Sequence, residues 1–319
     1  MNTVIIDGLS FALPLFIMAI GGIYSERSGI TNLALEGLQG FGAFVGGFVA
    51  VLLASHFSAD SQAPYYMAML FAVIGGMAYA SVHALLCIKF KANQVISGVV
   101  INILAMAFTT FLTKQINKSI FSASSDKFVL GVSSRWTVPV LSDIPVIGAV
   151  FTNIYPFEII IIVIAVLAWY LLYQTKYGLH LRACGDNPHA VDAAGIDVAK
   201  VRFAAVLMSG ALSGLAGISF AYSISANFSS AIYAGYGYLA IAALIFGNWK
   251  ILPTLGACLL FGFARSGGYR IVQLLQMPSS YSDLVMILPY ALTLLLLIFF
   301  SKQNKAPRAL GEIYDKGKR

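Results

Sequence analysis

Two sets of residues in this 319-residue chain have types and spacings that could do chemistry. The first is the run Gly178-Leu179-His180-Leu181-Arg182-Ala183-Cys184-Gly185-Asp186-Asn187-Pro188-His189-Ala190-Val191-Asp192-Ala193-Ala194-Gly195-Ile196, where signals that start and stop a helix stand close together. Asp186 or Asn187 can accept the free N–H groups at a helix start, Pro188 suits the first turn, and Gly195 can end the helix in a left-handed conformation. About two turns remain, too few to be stable in water alone, so the helix has to pack against something. The second set is made of polar side chains scattered through apolar sequence: Asn32, Glu36, Asn93, Gln94, Asn102, Tyr236, Tyr238 and Arg265. Amides and hydroxyls both donate and accept hydrogen bonds, which is the chemistry of recognising a neutral polar solute rather than of breaking its bonds. Nothing in the chain reads as an enzyme, since GxSxG, HExxH and paired-carboxylate patterns are missing and no GxxxxGK[ST] loop occurs to bind ATP. His56, His83, His180 and His189 are scattered, and Cys87, Cys184 and Cys258 have no CxxC spacing, so free thiols and no metal are expected.

The polar residues gain meaning from where they fall. Gly21-Gly22 and Gly29 mark an interruption at 24–36, and Gly235-Tyr236-Gly237-Tyr238 marks another within 225–253. Broken helices at membrane depth survive only when buried in protein or lining a cavity, and transporters place solute sites at such breaks. Asn32, Glu36, Asn93, Gln94 and Asn102 are therefore candidates for a translocation path, with Tyr236, Tyr238 and Arg265. Each has a structural reading beside it. With Asn32 as N-cap, Glu36 falls in the first turn of the second helix, where the dipole favours a carboxylate by about 0.3–1 kcal/mol. Glu26 and Arg27 are expected to pair. The tyrosines either stack on a base or belong to the ordinary interfacial belt. Arg265, eleven residues after Thr254, would lie about 16 Å deep and face a partner or wet cavity. A short helix would let it snorkel outward instead.

The elements that must position these groups are membrane helices. Of the residues, 59% are hydrophobic and 10% charged, against about a quarter charged in soluble domains, and the mean hydropathy is +0.83. Apolar runs predict helices at about 4–23, 37–55, 65–88, 95–113, 156–174, 201–224, 235–247, 254–272 and 283–300. The fold class is thus an all-α integral membrane protein, a polytopic bundle of 8–10 transmembrane helices with broken or re-entrant segments. The first run lacks a basic flank and a cleavage site and reads as a mature span. Fourteen Lys and Arg residues fall on one side: Arg27, Lys89, Lys91, Lys176, Arg182, Lys200, Arg202, Lys250 and six in the tail. Six fall on the other: Lys114, Lys118, Lys127, Arg135, Arg265 and Arg270. The richer side is expected to be cytoplasmic, with the N-terminus outside and the C-terminus inside. The net charge of +7 thus points to membrane topology and not to nucleic acid. The segment 114–155, with Trp136, Pro139 and Pro145, reads either as an external lid or interfacial helix or as a plain connector.

With these residues in view, the chain resembles a known family. The 185–195 loop is similar to the coupling-helix loop of ATP-binding-cassette (ABC) importer permeases of the simple-sugar and nucleoside branch. Further matches are Glu26-Arg27-Ser28-Gly29-Ile30-Thr31-Asn32-Leu33-Ala34-Leu35-Glu36-Gly37, Asn93-Gln94-Val95-Ile96-Ser97-Gly98, Gly235 through Gly247, and Pro289-Tyr290. The first of these blocks looks like the nucleoside-type permeases rather than the ribose or galactose type. The resemblance implies one permease domain over 1–319 with a coupling loop at about 175–200 and a basic tail at 301–319. It implies a bacterial cytoplasmic membrane, a separate ATP-binding subunit holding ATP and Mg, a second permease subunit, an extracytoplasmic binding protein, and a nucleoside or related small polar solute. Docking on the ATPase would fall to Gly185, Asp186, Asn187, Pro188, Asp192, Ala193, Ala194 and Gly195, with Asp186 standing where the family often has glutamate. On the residues alone, a loop that merely packs on its own bundle stays open. So do a simple-sugar permease and an ion-coupled carrier using Glu36, Glu158 or Arg265.

Overall fold

A computed structural model describes residues 2–58, 61–131, 133–144, 147–278, 280–300 and 305–316. The long helices are α1 (Asn2–Arg27), α2 (Leu35–Ala54), α3 (Ala63–Ala84), α4 (Gln94–Ser119), α5 (Pro156–Gln174), α8 (Val198–Phe220) and α10 (Ile251–Leu274). Between them lie α6 (Lys176–Asp186), α7 (Pro188–Ala193) and α9 (Tyr236–Phe246), and after them α11 (Ser280–Val285) and α12 (Leu288–Phe300). The chain is an all-α polytopic membrane protein: seven helices among the described residues are long and apolar enough to cross a bilayer, counting the π turns that continue α3 to Lys89 and α8 to Ser225. The one ribbon among those residues is a two-residue antiparallel pair, β1 (Phe128–Val129) with β2 (Asn227–Phe228).

Lipid supplies no hydrophobic drive to join helices, so close van der Waals packing has to do it. At the centre, α2, α3 and α8 meet backbone to backbone. A Cβ on Gly214 would run into the Ala72 carbonyl, one on Gly76 into the Gly210 carbonyl, and one on Gly217 into the Gln39 carbonyl. Helix α1 is buried from Phe11 to Glu26 and packs on α8, α10, α9 and α5. Helix α4 shows the polarity of a membrane helix plainly. Its buried stripe carries Gln94, Ser97, Asn102, Thr109, Thr113 and Asn117, while Val95, Ile96, Val100, Ile103, Leu104 and Phe111 face outward.

Several expected boundaries move, each for a local reason. Helix α1 runs unbroken through Gly21-Gly22, because those glycines seat the backbone of α8 at Ser209 and the side chain of Leu244; Gly29, at φ +95°, ends the element instead. Helix α4 continues past 113, so Lys114 and Lys118 lie on it rather than in a loop. Asp197, not a residue near 201, starts α8 by accepting the Lys200 N–H at 3.1 Å. The last apolar run is divided at 286–287, where Pro289 occupies the first turn of a new helix. The 114–155 segment forms no interfacial helix among its described residues. Phe128 is buried with Phe44, Phe48 and Phe228, Trp136 bridges Ile154, and a 3-10 turn spans Ile147–Phe151. Pro145 lies outside the described residues.

Leucine at position 214 forces α8 away from the α3 backbone, and overpacking of this kind costs about 1–3 kcal/mol even where neighbours can shift. Gly214→Leu is expected to lower the yield of folded protein and its melting temperature in detergent. Gly256→Leu, at a position with open space around it, leaves both unchanged and serves as the control.

Candidate functional site

After α8 and its π turn the chain leaves helical geometry at Ala226, which adopts φ +51°, and apart from a 3-10 turn at Ser230–Ile232 resumes it only at α9, with Gly235 at φ +86° just before. The first N–H groups of any helix lack an internal acceptor, and inside a bilayer no water replaces it. Glu36 supplies the acceptor. Its Oε1 accepts the Gly235 N–H at 2.8 Å and its Oε2 the Gly237 N–H at 2.5 Å. The residue is 5% exposed. Because Glu36 itself sits in the first turn of α2, the carboxylate lies at two positive helix ends at once. A Cβ on Gly237 would strike the Glu36 backbone N–H, so glycine there is what permits the approach.

Other side chains hem the same segment. Gln39 Nε2 donates to the Ile232 carbonyl at 3.2 Å, and Tyr290 Oη donates to the Ala234 carbonyl at 2.7 Å. Thr109 and Tyr233 hydroxyls meet at 2.9 Å. Asn102 Oδ1 accepts the Gly37 N–H at 2.7 Å, while its Nδ2 donates to the Leu33 carbonyl at 2.7 Å and to the Tyr238 hydroxyl at 3.1 Å. Asn32 is not the N-cap of α2: Ala34 holds that position without a side-chain bond, and Asn32 Nδ2 donates to Ser209 Oγ at 2.8 Å. Its Oδ1 accepts the Ala34 N–H at 3.1 Å.

Of the eight polar residues singled out by sequence, Glu36, Asn102 and Tyr238 thus meet at one break, while Asn32 turns to Ser209 on α8. Tyr238 is 47% exposed and presents its ring outward; Tyr236 is buried, tilted against Phe220 and edge-on to Phe11. Asn93 caps α4 by accepting from Val95 and Ile96, and Gln94 Oε1 accepts the Thr31 N–H at 2.6 Å, both at the basic end. Arg265 approaches the same break from the 24-residue α10, whose length removes the short-helix reading. Its guanidinium lies over Phe11 at 4.5 Å and Tyr269 at 5.1 Å. It lines a cavity of about 280 Å³ with Asp7, Ser10 and Arg135, and another of about 170 Å³ that reaches Tyr236 and Tyr290. Glu26 and Arg27 do not pair with each other. Both are drawn to Trp249, whose Nε1 donates to Glu26 at 2.5 Å and whose carbonyl accepts from Arg27 at 3.0 Å. Gln39, Thr109, Tyr233 and Tyr290 were not singled out as contacts of the break; the only signal for them is a polar residue recurring on the buried stripe of an apolar helix.

At the basic end, α6 starts with Thr175 accepting the Gly178 N–H and ends at Asp186, and α7 starts with Asn187 accepting the Ala190 N–H at 3.0 Å. Pro188 follows as the first helical residue, and Gly195 adopts φ +80° with open space around it. A small core of Cys184, Val191 and Val198, with Tyr314 against it, holds α7 in place. Burial there pushes the Cys184 thiol up to about 11, and nearby Arg202 offsets part of the shift. Gly185 and Pro188 are covered, Asp192 is half-buried and 3.4 Å from Lys316, and Asp186, Asn187, Ala193, Ala194 and Gly195 are exposed.

Glu36→Ala strips two buried N–H groups of their acceptor at about 1–3 kcal/mol each, and Glu36→Gln turns an amide donor on one of them. Both variants are expected to melt at lower temperature than the unaltered protein in the same detergent, alanine further than glutamine, as read by scanning fluorimetry.

Residues 4–297 match the family described as the permease component of branched-chain amino acid transport systems. The chain is 38% identical to the guanosine ABC transporter permease protein NupQ of Bacillus subtilis, over 98% of this chain and 96% of that one. It is 36% identical to the nucleoside ABC transporter permease protein NupC of Lactococcus lactis subsp. cremoris, over 100% and 98%. A putative glucose ABC transporter permease protein of Haloferax volcanii is 31% identical over 79% and 72%. No solved structure matches. The chain therefore belongs to the permease-component family of branched-chain amino acid transport systems and is a multi-pass membrane transport subunit.

Proposed function

We propose that this chain is one permease subunit of an ABC importer in a bacterial cytoplasmic membrane and that it carries a nucleoside or related small polar solute inward by alternating access. ATP and Mg belong to a separate subunit, whose closure moves α7. A second permease subunit completes the pathway, and an extracytoplasmic binding protein delivers the solute to the side where the N-terminus lies. The basic end of the bundle is then cytoplasmic, in keeping with its surplus of Lys and Arg.

The observation that carries the energising step is α7: a capped six-residue helix, too short to stand alone, supported by its own small core and bare along Ala193, Ala194 and Gly195. Small exposed residues let a partner's backbone approach closely. The solute class is supported by the guanosine and nucleoside permeases, both alike over nearly the full chain. In the bundle, the Glu36 break with Tyr238 at its edge supplies aromatic and amide surface suited to such a solute. Buried Gln39 Oε1 and Gln94 Nε2 have no protein partner and keep hydrogen-bonding capacity in reserve. The ion-coupled reading gains no support from Glu36 or Glu158, since Glu36 is held by backbone N–H groups and Glu158 by Ser10 Oγ at 2.7 Å. A glucose-type solute is the second reading, favoured by the Haloferax relative.

Cells that lack their own nucleoside uptake and express the complete importer are expected to accumulate labelled guanosine or uridine but not glucose. Arginine introduced by Ala193→Arg would bury an unpaired charge in the docking surface, and uptake should fall about tenfold or more with the chain still in the membrane. Accumulation of glucose alone would reverse the solute assignment, and normal uptake by Ala193→Arg would remove α7 from the coupling step.

A further inference from the structure

The C-terminal residues 305–316 do not trail away from the bundle. Their backbone is fastened at successive points along the basic end. The Lys305 N–H donates to Asn248 Oδ1 at 2.8 Å, the Ala309 N–H to the Gly185 carbonyl at 2.8 Å, and the Gly311 N–H to the Gly29 carbonyl at 3.1 Å. Ala309 is buried, and Leu310 packs on the main core. Further along, Tyr314 lies against the core beneath α7 with its ring 5.2 Å from His189. Lys316 reaches Asp192 at 3.4 Å, and Asp315 reaches Lys91, beyond α3, at 3.0 Å.

Arg202 ties the arrangement together. It is 2% exposed, and it donates from Nε to the Ser28 carbonyl and from Nη1 to the Glu312 carbonyl, both at 3.0 Å. Its guanidinium lies against Gly29, where a Cβ would meet Nη2 at 2.5 Å, so the bare glycine that closes α1 also makes room for the arginine. A buried guanidinium is costly unless its hydrogen bonds are made; here the 28–29 turn and the tail supply acceptors for Nε and Nη1, while buried Nη2 finds none among the described residues. That turn leads through Asn32, which bonds Ser209, to Glu36 at the break.

We propose that residues 305–316 form a strap that joins α7 to the 28–29 turn, with Arg202 as its positioning residue, so that strap and α7 move as one piece when the ATP-binding subunit pulls. The proposal rests on the reading of α7 as the docking helix. Without the strap, α7 acts on the bundle through α6 and α8, which share its small core; with it, the displacement also reaches the ends of α1, α3 and α9 together.

Two experiments on the complete importer decide it. In the first, Arg202→Gln and a chain ending at 304 are compared with the whole chain for uptake, ATP hydrolysis and co-purification of the ATP-binding subunit. Lost transmission lowers uptake about tenfold while the ATP-binding subunit still co-purifies and hydrolyses ATP; uptake within about twofold of normal for Arg202→Gln overturns the proposal. In the second, which does not depend on how well a truncated chain folds, His189→Cys and Tyr314→Cys are combined and joined by a short reducible cross-linker. If strap and α7 travel together, cross-linked and reduced samples of this same variant take up solute equally. If the tail has to leave α7 during transport, cross-linking stops uptake and reductant restores it, and the proposal fails. Failure of the α7 reading itself shows separately, as normal uptake by Ala193→Arg.

Discussion

The arrangement depends on one constraint: a helix may begin in the middle of a lipid-embedded bundle only if something accepts its first N–H groups. Here a single carboxylate, Glu36, accepts two of them across nearly two hundred residues of sequence. That bond holds the start of α9 beside the start of α2, and the hydrogen bonds from Gln39, Asn102 and Tyr290 follow from the same geometry. A carboxylate between two positive helix ends is well placed, but its grip is directional. Sliding α9 relative to α2 by a fraction of a helical turn would break both bonds at once. The break is therefore a joint with defined positions rather than a loose segment, which suits the alternating access proposed for this chain.

Around this joint the packing divides into stiff and adaptable parts. Helices α2, α3 and α8 meet through glycines at carbonyl distance and leave no room for side-chain rearrangement. Helices α4 and α5 show lipid an apolar face and turn their polar or small residues inward. The basic end is tied by backbone hydrogen bonds among the 28–29 turn, Gly185 and the tail. A rigid centre, a jointed break and a tied end are the parts needed to carry a push on α7 toward Glu36. On the proposed function, this ties the coupling surface to the solute pathway through Arg202 and the seven residues between Ser28 and Glu36.

Much of this was legible in the residues. Apolar length identified the spans, because a bilayer has one thickness and a helix one rise per residue. The start of α7 was legible because Asn187, Pro188 and Gly195 act within a few residues of themselves. That a break falls within 225–253 was legible for the same local reason, although it precedes Tyr236, Gly237 and Tyr238, which open α9. The misread points were those where a residue's partner is distant. Gly21-Gly22 looked like an interruption but serves the approach of α8. Asn32 looked like a cap but bonds Ser209, and Glu26 and Arg27 looked like a pair but both turn to Trp249. The tail read only as a basic segment at 301–319, and part of its anchoring uses backbone groups, which leave no mark on residue identity.

The amino-acid sequence by itself thus determined the class of the protein, most of its spans, the regions in which it breaks and the helix at its basic end, all properties set by composition and by contacts a few residues long. Only the tertiary structure decided what fills each break and what ties each end: that Glu36 serves α9, that Asn102 joins α2, α4 and Tyr238, and that Arg202 binds the tail. The physical reason is that a buried polar group must find a partner, yet which partner it finds depends on how helices far apart in the chain are set against one another.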